Sequence, residues 1–429
     1  MFEYPRHPAH LQDLKAELHG ELICPNDRGY EATRKVWNGM IDTYPALIAR
    51  CADAVDVVKS VQFGRVYHLP VAVRGGGHSL SGSSVCDGGI VIDLSCMKGV
   101  CIDPEKRTAR VQAGLTLGEF VRATQAYGLA TTTGTVGGTG LAGLTLGGGL
   151  GWFMHPVGAV LAGKVVYPME RAREVLRFYR EYTSTAADEL TAYACLSTTP
   201  GGLPAIAINL CYCGSLEEGE RAVSPLRKFG TPLVNLIRPK SYLNMLMQAD
   251  RGAPAGRSYY EKAHTLSGLS DEAIEALVEY GRACTSPLSQ VLIQHVHGAA
   301  SRVGPRETAF ALRQESYVMS IVAAWDNGEA SQTDRHIGWT RACWRAMEPL
   351  ASPGVYVNFL GDEGQGRVRA AYGINYERLV AIKNRYDPTN CFSLNQNIAP
   401  TNKEVDPCLK QREYQRFCEA FAPLSNQIS

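Results

Sequence analysis

Residues 74–82 read Arg74-Gly75-Gly76-Gly77-His78-Ser79-Leu80-Ser81-Gly82 and follow the short apolar run 68–73. The apolar run predicts a strand, and the pattern of residues 52–64 before it predicts a helix. Three successive glycines permit positive φ and let backbone N–H groups converge on one anion. Because glycine runs also occur in ordinary turns, this stretch alone leaves open a diphosphate-binding loop and a plain turn.

A second glycine-rich stretch strengthens the first interpretation. Residues 134–151 contain nine glycines in eighteen positions, which predicts close approach of the backbone to a ligand or to other backbone. Gly138, Gly140 and Gly143 form a G-x-G-x-x-G pattern, as in nicotinamide-binding proteins. However, no β-branched strand precedes it, Gly147-Gly148-Gly149 cannot continue a helix, and no acidic residue follows at the required distance. A nicotinamide dehydrogenase is therefore a distant alternative.

Length and charge limit the class of protein. The chain has 429 residues, enough for two structural units, with 43 basic and 42 acidic residues and a net charge of +1. This balance argues against nucleic acid or an anionic membrane as a partner. No apolar run reaches membrane-spanning length, and the N-terminus lacks a signal-peptide pattern, so we expect a cytoplasmic protein. The thirteen cysteines fit a reducing compartment, and Cys211 and Cys213 alone do not make a zinc site.

The composition changes after Pro156, where glycine becomes less frequent and strand patterns alternate with amphipathic helices. A second domain is therefore expected. Its predicted elements are a helical face at Ala172, Val175, Leu176 and Tyr179, a helix capped by Ser270, strands over 317–323 and 354–359, and a helix capped by Asn375 that ends before Asp387-Pro388.

Several stretches in the same order as in a known family extend the comparison beyond the glycine loops. They are Gly29-Tyr30, Arg34, residues 36–39, Pro45, 53–61, 88–95, 356–359, 375–379, 386–390 and 394–398. Together with both loops they resemble the FAD-linked oxidases of the berberine-bridge-enzyme-like group, in the vanillyl-alcohol-oxidase superfamily.

The resemblance implies an α+β protein with a PCMH-type FAD domain built from both ends of the chain. The expected boundaries are 1–158 for the FAD-binding domain, 159–354 for a substrate domain with antiparallel sheet and helices, 355–401 for a segment that returns to the FAD domain, and 402–429 for a peripheral tail. In the family, further strands, a helix and a glycine turn separate the equivalents of Met154 and His155, which are adjacent here. A block of the FAD domain is therefore expected to be missing, which exposes strand edges and apolar surface.

By the same resemblance, His78 carries FAD through a covalent bond to the 8α-methyl group of the flavin. Where some members have a cysteine for a second bond, this chain has Val136, so a single bond is expected. The further residues expected to contact the cofactor are Arg74, Gly75, Gly76, Gly77, Ser79, Leu80, Thr135, Val136, Gly140, Gly143, Asn358 and Asn395, with Gln396 close by.

The resemblance does not supply a general base. Plant relatives use a tyrosine where this chain has Phe359, which cannot accept a proton. Tyr317 is a candidate base, although a tyrosine in the core is the more common role. His295 and His297 lie on one face of a predicted strand and could contact substrate, but without a third ligand no metal is expected.

The expected reaction is hydride transfer from a small organic substrate to flavin N5, with reoxidation by O2, in secondary metabolism or elsewhere. Alcohols, sugars and secondary metabolites all remain open as substrates, as do oxidase and dehydrogenase activity and the oligomeric state. The alternative from another class is a flavin-free degenerate paralogue that acts as a binding or scaffold protein, because the missing block would remove part of the flavin site.

Overall fold

A computed structural model of the chain describes residues 8–152 and 159–401. The predicted junction between Met154 and His155, and the tail 402–429, lie outside these ranges. The described chain forms a smaller N-terminal α/β part and a larger part built on an antiparallel sheet, as expected for a two-domain α+β protein. None of its helices combines the length and apolar character needed to cross a bilayer.

The N-terminal part contains eleven short elements. They are α1 (Pro8–Glu17), β1 (Glu21–Ile23), α2 (Tyr30–Arg34), β2 (Leu47–Arg50), α3 (Ala54–Val66), β3 (Val71–Arg74), β4 (Ile90–Asp93), β5 (Val100–Asp103), β6 (Thr108–Val111), α4 (Leu117–Gln125) and α5 (Leu141–Leu146). Its four-stranded sheet has the order β1-β2-β4-β3, with β2, β4 and β3 parallel. Because β4 is buried along its whole length, its sequence Ile-Val-Ile-Asp is almost continuously apolar.

The hairpin of β5 and β6 is exposed on most of its length, and within the described residues these two strands pair only with each other. Helix α4 follows this hairpin, and its N-cap residue Thr116 forms a reciprocal capping box with Glu119. The second glycine stretch does start a helix, α5, but Gly147 ends it after six residues. Leu146 at its end is 83% exposed.

The larger part begins at β7 and includes the remaining elements. They are β7 (Ala159–Pro168), α6 (Ala172–Ser184), β8 (Leu190–Thr198), β9 (Pro204–Tyr212), α7 (Leu216–Lys228), β10 (Val234–Asn235), β11 (Arg238–Ser241), α8 (Tyr242–Asp250), β12 (Ser258–Leu266), α9 (Asp271–Arg282), β13 (Gln290–Val296), α10 (Ala299–Arg302), β14 (Ser316–Trp325), α11 (Thr333–Met347), α12 (Gln365–Tyr372) and α13 (Tyr376–Tyr386). The sheet order is β10-β7-β9-β8-β13-β14-β12, and β11 also pairs with β7.

The two faces of this sheet have different neighbours. Helices α6, α7, α9 and α11 cover one face and form the largest apolar core with it. We call this the helix-covered face. The opposite face, which we call the loop-facing side, carries Tyr193 and Cys211 and packs against α4, α8 and Trp152. Alternate residues along each strand therefore point either to the helices or to the glycine stretches.

One predicted helix cap forms in the structure, whereas one predicted strand and a second predicted cap do not. Ser270 accepts from the backbone N–H of Ala273 at the start of α9, and its predicted cap is confirmed. The strand predicted over 354–359 is wrong, since Val357–Phe359 forms a 3₁₀ turn. Asn375 precedes α13 but makes no cap bond there. Its side chain instead donates to the carbonyl of Pro305, which ties α13 to a distant loop.

Asn38 joins the two parts of the molecule. Its amide group donates to the carbonyl of Tyr259 at 2.9 Å and accepts from the Tyr259 backbone N–H at 3.1 Å. It also donates to the carbonyl of Leu80 in the first glycine stretch. Since Asn38 is buried, these bonds fix β12 of the large sheet beside the His78 loop.

Candidate functional site

The side chain of His78 lies in a stack of three rings. Trp37 is parallel to the imidazole, with ring centres 4.8 Å apart and planes inclined by 18°. On its other face Trp37 stacks on Tyr259, with ring centres 4.0 Å apart. The indole N–H donates to the carbonyl of Ala253. The orientation of His78 is therefore fixed by residues from both parts of the molecule.

The two glycine stretches meet at Gly76 and Gly140. A β carbon on Gly76 would lie 2.2 Å from the nitrogen of Gly140, and one on Gly140 would lie 2.3 Å from the nitrogen of Gly76. Neither position can hold a larger residue without separation of the loops. Gly77 has φ of 68°, in the left-handed region that favours glycine. These glycines are therefore required by the shape of the backbone.

The first stretch keeps unpaired backbone donors. Within the described residues, the N–H groups of Gly76, Gly77 and His78 donate to no protein acceptor. Several free N–H groups in a loop after a strand form a site for an anion such as a diphosphate. Ser79 differs, because its hydroxyl is already within 3.1 Å of the hydroxyl of Ser81.

Arg74 was expected to contact the cofactor, but its guanidinium group is already engaged within the protein. It donates to the carboxylate of Asp93 at 2.7 Å and to the carbonyl of Thr33 at 2.6 Å. Both residues of the ion pair are buried. The pair links the end of β3 to β4. Arg74 therefore stabilises the strand end from which the first glycine loop begins.

Residues of the second stretch border His78 from another side. Gly138 is next to the imidazole, since a β carbon there would lie 3.2 Å from Nε2 of His78. Thr135 and Val136 are half-buried and precede this contact, while Gly143 is exposed on α5 with nothing within 4 Å of its Cβ position. The loop thus brings Gly138 and Gly140 to the site and leaves Gly143 at its edge.

Burial changes the protonation of His78. Loss of solvent lowers the pKa of the imidazole to about 4, and the negative charge of Asp250 opposes this shift only weakly. His78 is therefore neutral at physiological pH. A neutral imidazole keeps a lone pair on one nitrogen and can form a bond to carbon.

Residues of the return segment contact the C-terminal end of the second glycine stretch. Asn358 donates to the carbonyl of Leu144 at 3.2 Å and to the hydroxyl of Tyr356 at 2.7 Å. The Tyr356 hydroxyl also accepts from the N–H of Leu150. A β carbon on Gly147 would be 1.9 Å from Asn358. Gln396 donates to the carbonyl of Leu360 nearby, whereas Asn395 is exposed.

Glu261 is a site residue that the sequence did not reveal. It lies on the loop-facing side of β12, two residues after Tyr259, and its carboxylate accepts from the hydroxyl of Ser320. Burial raises the pKa of Glu261 to about 7, although the Ser320 bond lowers it slightly. Its charge also acts on the buried phenol of Tyr356. A carboxyl group with this pKa can accept and release a proton near neutral pH.

Tyr317 and the two strand histidines lie on the opposite face of the sheet. Tyr317 is in the helix-covered core, and its hydroxyl is 2.8 Å from that of Thr183. His295 pairs with Tyr317 in register, stacks on His297, and is 2.9 Å from the carboxylate of Glu315. The structure therefore does not bring these three residues together with His78.

Comparison with families supports a flavoprotein. Residues 45–173 match the model described as "FAD binding domain", and residues 355–399 match the model described as "Berberine and berberine like". The first match ends just after β7, and the second begins after β14, so most of the large sheet lies between them. They contain His78 with both glycine stretches and Asn358 with Asn395, respectively.

Individual relatives match over most of the chain. An FAD-linked oxidoreductase of Dictyostelium discoideum is 27% identical over 85% of this chain and 91% of its own length. The (R)-6-hydroxynicotine oxidase of Paenarthrobacter nicotinovorans is 26% identical over 89% of this chain and 97% of its own length. The second alignment runs over 455 positions although it uses only part of this 429-residue chain, so the relative has residues without a counterpart here.

Solved structures share the fold at lower identity. The 6-hydroxy-D-nicotine oxidase of Arthrobacter nicotinovorans superposes with a TM-score of 0.79, with 24% identity over 89% of this chain and 98% of that chain. BBE-like 1 of Physcomitrella patens superposes with a TM-score of 0.80 and 18% identity over 92% of this chain and all of that chain.

Proposed function

Because the chain is an FAD-linked oxidoreductase of the berberine-bridge-enzyme-like group, we propose that it oxidises a small organic molecule with FAD bound through His78. The observation that carries this proposal is the position of the neutral, ring-stacked His78 where the two glycine stretches meet. O2 is the proposed acceptor of the electrons. We also propose that this oxidation belongs to secondary metabolism.

The residues present fit the cofactor. The free N–H groups of Gly76, Gly77 and His78 would hold the negatively charged diphosphate, since protein acceptors do not use them within the described chain. Gly140 would allow the second stretch to approach closely, and Asn358 would support its far end. When bound, FAD supplies a two-electron acceptor at N5 for hydride from a substrate carbon.

His78 would hold the flavin ring by a single covalent bond. Trp37 and Gly138 fix the plane and the edge of the imidazole, which reduces the rotational freedom lost when the bond forms. Val136 has no thiol with which to form a second bond. Thr135, Ser79 and Leu80 would line the space beside the bound ring, and Asn395 would reach it from the return segment.

Glu261 is the base that we assign to the reaction. The carboxylate lies on the same side of the large sheet as Tyr259 of the His78 stack, two residues further along β12. It would take the proton from a substrate hydroxyl or amine as hydride leaves the adjacent carbon, and the Ser320 hydroxyl would hold its orientation. Tyr356 would complete the polar wall of the site, with its hydroxyl fixed by Asn358.

The aromatic residues near Glu261 favour a cyclic substrate. Tyr259 lies two residues from Glu261 on the same side of β12 and stacks on Trp37, and such rings suit a flat or cyclic molecule. The named relatives include an (R)-6-hydroxynicotine oxidase and a xylooligosaccharide oxidase. Alcohols, sugars and aromatic secondary metabolites are therefore the classes to screen.

Acid denaturation of the purified protein tests the flavin assignment. We expect flavin fluorescence to remain with the denatured polypeptide in the parent and to be lost in His78→Ala. His10→Ala changes an exposed histidine on α1 and serves as the control. A folded, colourless parent after expression with ample riboflavin would instead favour the flavin-free binding or scaffold protein.

A screen of substrates then tests the reaction. Anaerobic mixing with members of each class should bleach the flavin absorption for the true class, and admission of air should restore it if O2 is the acceptor. Bleaching without restoration by air would make the protein a dehydrogenase with another acceptor.

A further inference from the structure

Asp250 is an acidic residue in an unfavourable place. It is the last residue of α8, where the partial negative charge of the helix end favours a basic side chain. Among the described residues, no lysine, arginine or histidine lies within ion-pair distance of its carboxylate. Neither the helix end nor an ion pair explains an acidic side chain at this position.

The carboxylate is directed at the second glycine stretch. Its Oδ1 accepts from the backbone N–H of Gly138 at 3.1 Å. A β carbon on Gly137 would lie 2.7 Å from its Oδ2. Two successive residues of the loop therefore contact Asp250, Gly138 through its N–H and Gly137 through the space that its missing side chain leaves.

Gly138 lies between Asp250 and His78. The Cβ position of Gly138 is 3.2 Å from Nε2 of the imidazole, while its N–H is held by the carboxylate. The charge of Asp250 also acts on His78, where it favours the protonated ring against the effect of burial. Asp250 is thus close enough to His78 to interact with it electrostatically, but its carboxylate does not bond directly to the imidazole nitrogens.

We infer that Asp250 is a positioning residue for covalent attachment of the flavin, which holds Gly138 beside His78 and stabilises positive charge on the imidazole as the new bond forms. The inference rests on the proposed function, because it needs FAD in the site. It concerns how the bond is made rather than how substrate is oxidised.

Formation of the covalent bond needs only the imidazole and the flavin. A nitrogen of the neutral imidazole bonds to the 8α-methyl carbon, and one hydrogen is lost from the methyl group and one from the imidazole. The two electrons and two protons released reduce the flavin ring, which then passes them to O2 to give hydrogen peroxide. As the nitrogen shares its lone pair, the imidazole becomes positive until its proton leaves, and the Asp250 carboxylate lowers the energy of that state.

The substitution Asp250→Asn tests the negative charge of the carboxylate independently of its hydrogen bond to Gly138. The amide oxygen of asparagine can still accept from the Gly138 N–H, so the loop keeps its position while the negative charge is removed. Asp250→Glu keeps the charge and shifts it by one methylene group. Asp13→Asn, which changes an exposed aspartate on α1, is the matched control.

The experiment mixes FAD with each full-length apoprotein and follows flavin fluorescence on the acid-denatured band, together with intact mass. We expect Asp250→Asn to bind FAD that acid releases and to form the covalent bond on the order of tenfold more slowly or worse. Asp250→Glu should recover part of the rate, and Asp13→Asn all of it. The attachment rate of the parent should depend on pH differently from that of Asp250→Asn, which a purely structural role would not produce.

Covalent attachment at the parent rate in Asp250→Asn overturns the inference and leaves the proposed function intact. A parent that takes up no FAD overturns both. If Asp250→Asn binds no FAD at all, Asp250→Glu decides the matter because it keeps the charge: covalent attachment in this variant supports the inference, and FAD that is bound but never becomes covalent overturns it.

Discussion

The imidazole of His78 and the indole of Trp37 lie face to face, 4.8 Å apart between ring centres and 18° from parallel. Residues 41 positions apart in sequence thus meet in one stack, which Tyr259 extends from the large sheet. The stack joins the first glycine loop to β12. Changes in it should affect both stability and the attachment of flavin.

Trp37→Ala should lower the free energy of unfolding by about 2–4 kcal/mol, because it removes two stacked contacts and the bond to the Ala253 carbonyl. Trp37→Phe keeps a ring in the stack and should cost about half as much. Urea unfolding followed by circular dichroism measures both. Equal stability of Trp37→Ala and the parent would contradict a structural role for the stack.

Gly76→Ala and Gly143→Ala make a matched pair of glycine substitutions. The first would place a methyl group 2.2 Å from the backbone nitrogen of Gly140 and should separate the loops, with loss of bound flavin. The second would place a methyl group in open space on α5 and should be neutral or stabilising by about 0.5–1 kcal/mol. Thermal melting and flavin content per protein distinguish the two. Similar behaviour of both variants would refute the contact between the loops.

The flavin-free protein should become less stable as pH falls from about 6.5 to about 4. In this window the unfolded chain protonates His78, whose ordinary pKa is 6.5, while the folded chain does not, because burial lowers the pKa to about 4. Unfolding therefore takes up a proton, and up to about 3 kcal/mol is lost.

His78→Asn should remove this part of the acid sensitivity. Urea titrations of both proteins at several pH values measure the difference. A constant gap in stability between the two proteins from pH 7 to pH 4 would show that His78 has the same pKa in the folded and unfolded states, and would contradict the effect of burial.

Glu261→Gln should stabilise the protein above neutral pH. The pKa of Glu261 in the folded protein, about 7, is above the ordinary value of 4.5, so the folded state holds a proton that the unfolded state has lost. Stability therefore declines as pH rises from about 4.5 to about 7, by up to about 3 kcal/mol. Glutamine carries no charge and avoids this loss.

The same variant should lose most of its rate of flavin reduction once a substrate is known, by about 10²- to 10⁴-fold, since it removes the base. Ser320→Ala should reduce the rate less, because the carboxylate remains. Pre-steady-state reduction of the flavin provides the measurement. A variant that is more stable at pH 8 yet fully active would separate Glu261 from catalysis.

Local sequence signals predicted the elements that depend on local chemistry. The cap at Ser270 forms as expected because a hydroxyl needs only a backbone N–H three residues away. The strand expected over 354–359 failed because β-branched and aromatic residues fit a buried turn as well as a strand. The bond expected from Asn375 failed because its amide found a distant carbonyl.

Contacts between distant residues could not be predicted from spacing. Tyr317 appeared suitable as a base, yet strand register turns it toward the helices, and a shift of one residue would have turned it toward the loops. For Glu261 the reverse holds, because its register points it to the His78 stack and its burial changes its pKa. Asp250 had no signal in the sequence at all, since only the packing of α8 brings it to Gly138.

The sequence by itself indicated the family resemblance, the FAD cofactor and the two loops, because the glycines lie next to a single histidine and the other matching stretches follow in the family's order along the chain. Only the tertiary structure decided which side chains surround that histidine. Trp37 and Asp250 come from separate segments, and helix packing brings Asp250 to the glycine loop beside His78. Strand register places Glu261 on the same side of β12 as Tyr259, which stacks on Trp37. Strand register and helix packing are set by burial over the whole core, which no local pattern records.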